Sequence, residues 1–410
     1  MTSEGILPKC KHLKSALPYI ILGGVWPDIF NNLSLFWKIV YKMFSLLIFY
    51  SSVGVTLCSF AQFYILLQDR PLLITAELLT SFSLANLWSM ASVRAYGIRK
   101  PIIKKLLKGV IDSEKRIYIG DDKDFIDIQN TYISKNNTIC FAYSTFLSIY
   151  LVFYFLTFYF VTYKMSDPAL LQTDVIKKPH IIEMWFPIDR DKYYATTIFI
   201  EGTVSTTVTF LVMGADCYSF SIQTYIVSQL KMLNHIFENL EKFELRVKTQ
   251  LGCDENEAKF LVLRESIIFH QYILRYIDDY NSTMDVVALT EFILLSMQLA
   301  ACVLPQILGL SPTIGVLFLL LGGIISSKFF IYYWFAEEIT SAANDVTDSI
   351  YNSNWTEKPQ KIKYMFILVM MRSMKMTGLS IGPLGIMSMR VYLMLIRSTY
   401  SFVALVHSFT

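Results

Sequence analysis

The chain has 410 residues, 54% of them hydrophobic and 17% charged, with a mean hydropathy of +0.45. Soluble domains run nearer to roughly 45–50% apolar and about 25% charged, so the charge that a soluble surface needs is missing, and a soluble enzyme and a disordered chain are both excluded. A net charge of +3 is too small to point to nucleic acid as a partner.

A bilayer core about 30 Å thick needs roughly 20 apolar helical residues to cross it. Residues 1–42 hold Lys9, Lys11, Lys14 and Asp28. They contain no unbroken apolar core followed by small residues, so they read as a segment outside the bilayer and not as a cleavable leader. The first predicted span runs from Met43 to Leu67 and is uncharged. The second, Pro71 to Val93, is interrupted only by Glu77. The third, Thr138 to Tyr163, is aromatic and uncharged. The fourth runs from Tyr194 to Gln229 and carries Glu201 and Asp216. The fifth is Phe292 to Leu310, and the sixth is Thr313 to Phe335 with Lys328 in its second half. An ionisable group this deep in a span is costly and needs a partner, and Asp216 is the expected partner of Lys328. Residues 43–335 therefore form a six-helix bundle.

Its loops are not linkers. In 229–284, LKMLNHIFENLEKF repeats apolar residues at i, i+3 and i+4, and FLVLRESIIFHQYILRYIDDY continues the pattern. Both predict helices that extend spans four and five beyond the bilayer. The last stretch, Met365 to Thr410, holds Arg372, Lys375, Arg390 and Arg397. As one helix it would run about 69 Å at 1.5 Å per residue, roughly twice a bilayer. One span at 386–410 is expected, after a helix within 336–385 that packs in protein, with a break near Gly382, Pro383 and Gly385. The total is seven spans.

Orientation follows from Lys and Arg in the loops. With the N-terminus in the cytosol, segments 1–42, 94–137, 229–284 and 336–364 are cytosolic and hold 25 of the 36 Lys and Arg residues; the outer loops hold 6. The predicted topology is N-terminus inside, C-terminus outside, the reverse of a G-protein-coupled receptor. No cysteine falls in a predicted outer loop, so no extracellular disulfide is expected there. The sequons at Asn32, Asn136, Asn281 and Asn354 all fall on the inner side. The five histidines make no metal pair, and no catalytic or phosphate-loop motif is present, so neither enzyme activity nor a cofactor is expected.

In order along the chain, several elements resemble those of the insect odorant receptors. Tyr351-Asn-Ser-Asn-Trp355 resembles the family's Tyr-x-x-x-Trp element after span six. Met371-Arg-Ser-Met-Lys375 resembles its Arg-Ser-Gln-Lys-Pro stretch without the Gln and Pro, and Leu395-Ile-Arg-Ser-Thr-Tyr-Ser401 resembles its Leu-Lys-x-Ser-Tyr-Ser element. Ile188-Asp189 with Tyr193-Tyr194, Asp216 and His270 fit as well. Gustatory receptors share the fold but end in a Gln-Phe pair that this chain lacks. The odorant co-receptor has a longer second cytosolic loop than residues 229–284, so the resemblance is to a ligand-tuned subunit.

That resemblance implies an all-α membrane protein of seven transmembrane helices with inverted topology and long cytosolic helical extensions. It implies a ligand-gated non-selective cation channel assembled as a hetero-tetramer with the co-receptor, in the plasma membrane of a sensory-neuron dendrite. A gustatory-type homotetramer is the alternative, ahead of a G-protein-coupled receptor. A small volatile organic ligand would bind in the outer half of the bundle, in an enclosed apolar cavity. The expected contacts are Phe82, Ser83 and Asn86 on span two, and Leu147, Tyr150, Leu151, Tyr154 and Phe158 on span three. Span four would add Ile198, Glu201, Gly202 and Ser205, and span six Val316, Leu317 and Leu320. The last helix would line the pore with Thr399, Val403, Val406, His407 and Thr410. Val403 would be the hydrophobic constriction, and the filter position would fall at Val406 or His407.

Overall fold

A computed structural model describes residues 11–26, 34–69, 75–165 and 180–409. Its helices are α1 (Leu17–Leu22), α2 (Leu35–Asp69), α3 (Ala76–Ile98), α4 (Pro101–Gly120), α5 (Lys123–Met165), α6 (Tyr194–Glu238), α7 (Leu240–Leu251), α8 (Glu255–Ile307), α9 (Pro312–Tyr351), α10 (Gln360–Ser373) and α11 (Met389–Phe409). Among the described residues the sole β pairing is one bridge between Ser380 and Ile386. The protein is thus all-α, as expected.

Local chemistry sets the helix ends. The Thr75 side chain accepts from the Leu78 amide at 3.2 Å to cap α3, and Ser311 caps α9 just ahead of Pro312. Those oxygens satisfy amides that a helix start leaves without partners. The break between α10 and α11 falls where Gly382, Pro383 and Gly385 predict it. Gly385 sits at φ +96°, a conformation that L side chains rarely adopt.

Among the described residues, five helices, α2, α5, α6, α8 and α9, are long and apolar enough to cross a membrane. The other two expected spans are present as α3 and α11. α3 carries Glu77 and Arg94 within 23 residues, and α11 carries Arg390 and Arg397 within 21. α5, α6, α8 and α9 have 43, 45, 53 and 40 residues. At 1.5 Å per residue each is at least about twice the bilayer's hydrocarbon thickness. The helical extensions expected for spans four and five are therefore present, and spans three and six have them too.

α6 is the axis of the bundle. Every residue from 213 to 230 is buried, and a helix buried all round needs neighbours on every side. α5, α9 and α1 pack closely against it. Gly214 makes the last contact possible, because a Cβ there would sit 2.6 Å from the Tyr19 carbonyl oxygen. The segment before α1 docks beside it. Glu114 of α4 accepts from the Lys11 and His12 amides at 3.0 and 2.9 Å, and Asn136 of α5 donates to the His12 carbonyl at 2.7 Å.

Candidate ligand-binding site

Between α3, α5, α6 and α9 the bundle encloses a cavity of about 280 Å³. Each helix contributes one stripe at helical spacing: Ser83, Leu84, Leu87, Trp88, Ala91 and Arg94; Tyr143, Leu147, Tyr150, Leu151 and Tyr154; Ser205, Val208, Thr209, Val212 and Asp216; Leu317, Phe318, Leu321, Ile325 and Lys328. Residues three and four apart share a helix face, which is why one wall of each helix is continuous.

The segment from 180 to 190 closes one end. Glu201, fully buried, accepts from the Ile181 and Ile182 amides at 2.8 and 3.2 Å with Oε2. Its Oε1 lies 3.2 Å from His180 Nδ1 and 3.3 Å from Arg190. Tyr154 donates its hydroxyl hydrogen to the Ile181 carbonyl, and Arg190 donates to the Ile182 carbonyl at 2.8 Å. Both peptide groups of the cover are thereby satisfied, as buried backbone requires.

At the other end is a buried charge network. Arg94 donates from Nε to Glu291 of α8 at 2.6 Å and again from Nη2, and from Nη1 to Asp216 at 2.8 Å. Lys328 reaches the same Asp216 oxygen at 2.9 Å, and the Tyr143 hydroxyl donates to the other at 2.6 Å. The Arg94 guanidinium also stacks over the Tyr332 ring at 4.2 Å. Two cations and two carboxylates cancel, and paired, hydrogen-bonded ions are the form in which charge is tolerated inside apolar surroundings. Beyond this network a smaller space of about 30 Å³ lies among Arg94, Glu291, Leu379, Ser380 and Met387. There Asn281 of α8 exchanges two hydrogen bonds with Gly378 and Ser380, at 2.9 and 3.1 Å. The floor of the cavity thus connects to the turn that begins α11.

Of the residues expected at a ligand site, Ser83, Leu147, Tyr150, Leu151, Tyr154, Ser205 and Leu317 line the cavity. The others lie elsewhere. Phe82 turns to Phe63 of α2, with ring centroids 5.4 Å apart, and Asn86 donates to the Leu294 carbonyl at 3.3 Å. Glu201 is the anchor of the cover. Ile198 and Gly202 border a shallow outer groove with Phe155. Phe158 packs at the edge of the core. Val316 and Leu320 are 49% and 45% exposed, on the outward face of α9. Sequence reasoning missed Trp88, Ala91, Arg94 and Tyr143. The available signal was the i, i+3, i+4 stripe on α3 that ends at Arg94; placing that arginine in the basic loop hid it.

Among the expected pore residues, Thr399 is buried and donates to the Leu395 carbonyl at 3.0 Å. α11 runs through positions 403, 406 and 407. The side chains of Val403, Val406 and His407, and the whole of Thr410, lie outside the described residues.

The model of the 7tm Odorant receptor family matches residues 115–400. Odorant receptor Or2 of Anopheles gambiae is 28% identical over 148 residues, 36% of this chain and 39% of that one. Odorant receptor 10 of Aedes albopictus is 25% identical over 160 residues, 38% of this chain and 42% of that one. The chain thus matches about two fifths of the length of these curated relatives. Among solved structures, the insect olfactory receptor OR5 from Machilis hrabei superposes with a TM-score of 0.75 at 14% identity, covering 97% of both chains. Its complex with eugenol gives 0.73 at 14% identity, covering 99% of this chain and 100% of that one. At that identity the likeness concerns the fold.

Proposed function

The chain belongs to the 7tm odorant receptor family, a family of receptors and not of enzymes, and from that premise we propose that it is the ligand-tuned subunit of a ligand-gated non-selective cation channel. The observation that carries the reading is the apolar cavity among α3, α5, α6 and α9. A preformed, hydrocarbon-walled space with few polar groups suits a small volatile organic molecule. The structural relative solved with eugenol binds a molecule of this kind.

In this reading the basic end of the bundle faces the cytosol, as the positive-inside rule requires of the 25-to-6 division of Lys and Arg. Residues 1–42 and the extensions 94–137 and 229–284 are then cytosolic, 336–385 is an anchor region holding α10, and 386–410 holds the pore helix. Four such helices, from this chain and the odorant co-receptor, surround the conduit. Val403 closes it by dewetting, Val406 or His407 forms the filter, and Thr399 and Thr410 complete the face. The assembly resides in the plasma membrane of a sensory-neuron dendrite.

Ligand opens the pore only by binding the open arrangement more tightly than the closed one. In this reading the difference is carried from Asp216 at the cavity floor through Arg94 to Glu291, and along α8 to Asn281 and Asp285, which bond to Gly378 and Ser380 ahead of α11. The test is whole-cell current in cells expressing this chain with the co-receptor, screened against a panel of volatiles. Cation current evoked only when both chains are present supports the proposal. Robust evoked current from this chain alone would make it a self-sufficient homotetramer of the gustatory type.

A further inference from the structure

The polar groups around the cavity are nearly all spent. The Thr80, Ser205 and Thr209 hydroxyls donate to carbonyls of their own helices, and the Ser83 hydroxyl accepts from Gln298 at 2.5 Å. Tyr154 is committed to the Ile181 carbonyl and Tyr143 to Asp216. Arg94 is committed to Glu291 and Asp216. Among the described residues, the donors left without an acceptor are the Trp88 indole N–H, the Tyr150 hydroxyl and part of the Lys328 ammonium; the charged one is Lys328. It lines the floor and is 8% exposed, and among the described residues the partner within ion-pair reach is Asp216, at 2.9 Å. An ammonium has three N–H donors, more than the single Asp216 oxygen it reaches can accept, and in a hydrocarbon-walled site an unmet donor is costly. The acceptors nearby are the reverse case. Asp216 already receives Arg94, Lys328 and Tyr143, and Glu291 receives Arg94 through both oxygens.

We propose that Lys328 is the polar anchor of the cavity and selects neutral ligands that carry a carbonyl oxygen, such as ketones and esters, on a hydrocarbon body. The proposal rests on the reading of this cavity as the odorant site. A carbonyl oxygen supplies the missing acceptor and brings no hydrogen that itself needs one. A hydrocarbon of the same shape leaves the ammonium unmet. A carboxylate would add a net charge to a network whose four charges now cancel, at a cost that rises in low dielectric. A primary ammonium ligand would place like charge against Lys328 and Arg94.

The test compares pairs in which C=O is replaced by C=CH₂ with the shape kept: 2-heptanone against 2-methyl-1-heptene, and acetophenone against α-methylstyrene. Each is applied to cells expressing this chain with the co-receptor. At least one ketone is expected to evoke current at a concentration about tenfold or more below its alkene, about 1.4 kcal/mol of lost hydrogen bonding. Lys328→Met should abolish that preference, and Lys328→Arg should keep it. Because Lys328→Met unbalances the network, the double variant Lys328→Met, Asp216→Asn is measured beside it; it restores neutrality and should also lose the preference. Alkenes as potent as their ketones, or a preference that survives in the double variant at normal surface expression, would overturn the assignment and leave the odorant-gated reading standing. Silence to all four probes in a surface-expressed receptor that answers other volatiles would overturn the assignment alone, and silence to the whole panel of volatiles would overturn the odorant-gated reading with it.

Discussion

At the scale of single residues, Arg94 holds together the polar floor of the cavity. Among the described residues it is the one group that touches both carboxylates, Glu291 through two donors and Asp216 through a third. Removing one member of a buried ion pair costs about 3–5 kcal/mol, because the partner charge is left uncompensated; replacing the pair by apolar groups is often close to neutral. Arg94→Met should therefore sharply reduce thermal stability in detergent and delivery to the cell surface. The double variant Arg94→Met, Glu291→Leu should recover most of the loss, since Asp216 keeps Lys328 and Tyr143. A double variant no better than the single one would show that the network does not act as paired charge. Part of this floor was legible in the sequence. Asp216 and Lys328 stand out because each interrupts an apolar span, and an ion there needs its opposite. Arg94 was not, because it is the first of a run of basic residues and its depth depends on α3 continuing to Ile98. Glu201 was legible as costly, while its actual task, capping two peptide groups of the cover, depends on residues 180–190 folding back over α6.

At the scale of elements, the segment ahead of α1 is tied down by a buried histidine. His12 is fully buried, with Nε2 3.1 Å from the Thr224 hydroxyl of α6 and Nδ1 3.4 Å from the Gln129 amide of α5. The Glu114 carboxylate lies 3.9 Å from the ring, but burial dominates and lowers the His12 pKa to about 3. The undocked imidazole titrates near 6.5. Docking is therefore at full strength above pH 6.5 and weakens as the pH falls from there toward about 3, since the undocked form takes up a proton that the docked form refuses. At pH 5 the loss amounts to about 2 kcal/mol at 1.36 kcal/mol per unit. Denaturant unfolding at pH 7 and pH 5 should show that loss in the wild type and not in His12→Gln; equal acid sensitivity in the two would contradict the assignment. The same scale explains the uneven yield at the cavity. On α5 the expected residues Leu147, Tyr150, Leu151 and Tyr154 face inward, and Tyr143 extends the same stripe. On α9 nearly every residue is apolar, so periodicity cannot tell the inner face from the lipid face, and two of the three expected residues point outward.

At the scale of the whole molecule, hydropathy and charge placement carry the architecture. The number and order of the apolar segments, the helical nature of 229–284 and the break at 382–385 are all readable, because each depends on local composition. Helix packing around α6 is not, since eighteen consecutive buried residues with polar groups among them look like an ordinary span until their neighbours are in place. The central claim is that the apolar cavity among α3, α5, α6 and α9 receives the activating ligand, and adjacent residues of α9 test it. Leu317 lines the cavity, while Val316 is 49% exposed on the outer face. The decisive measurement is the dose–response to any activating volatile for Leu317→Trp and Val316→Trp at matched surface expression. The account predicts at least about a tenfold loss of potency for Leu317→Trp, because overfilling a site of this size costs about 1–3 kcal/mol, with Val316→Trp close to wild type. Equal potency for Leu317→Trp and the wild type, or a greater loss for Val316→Trp, would contradict it.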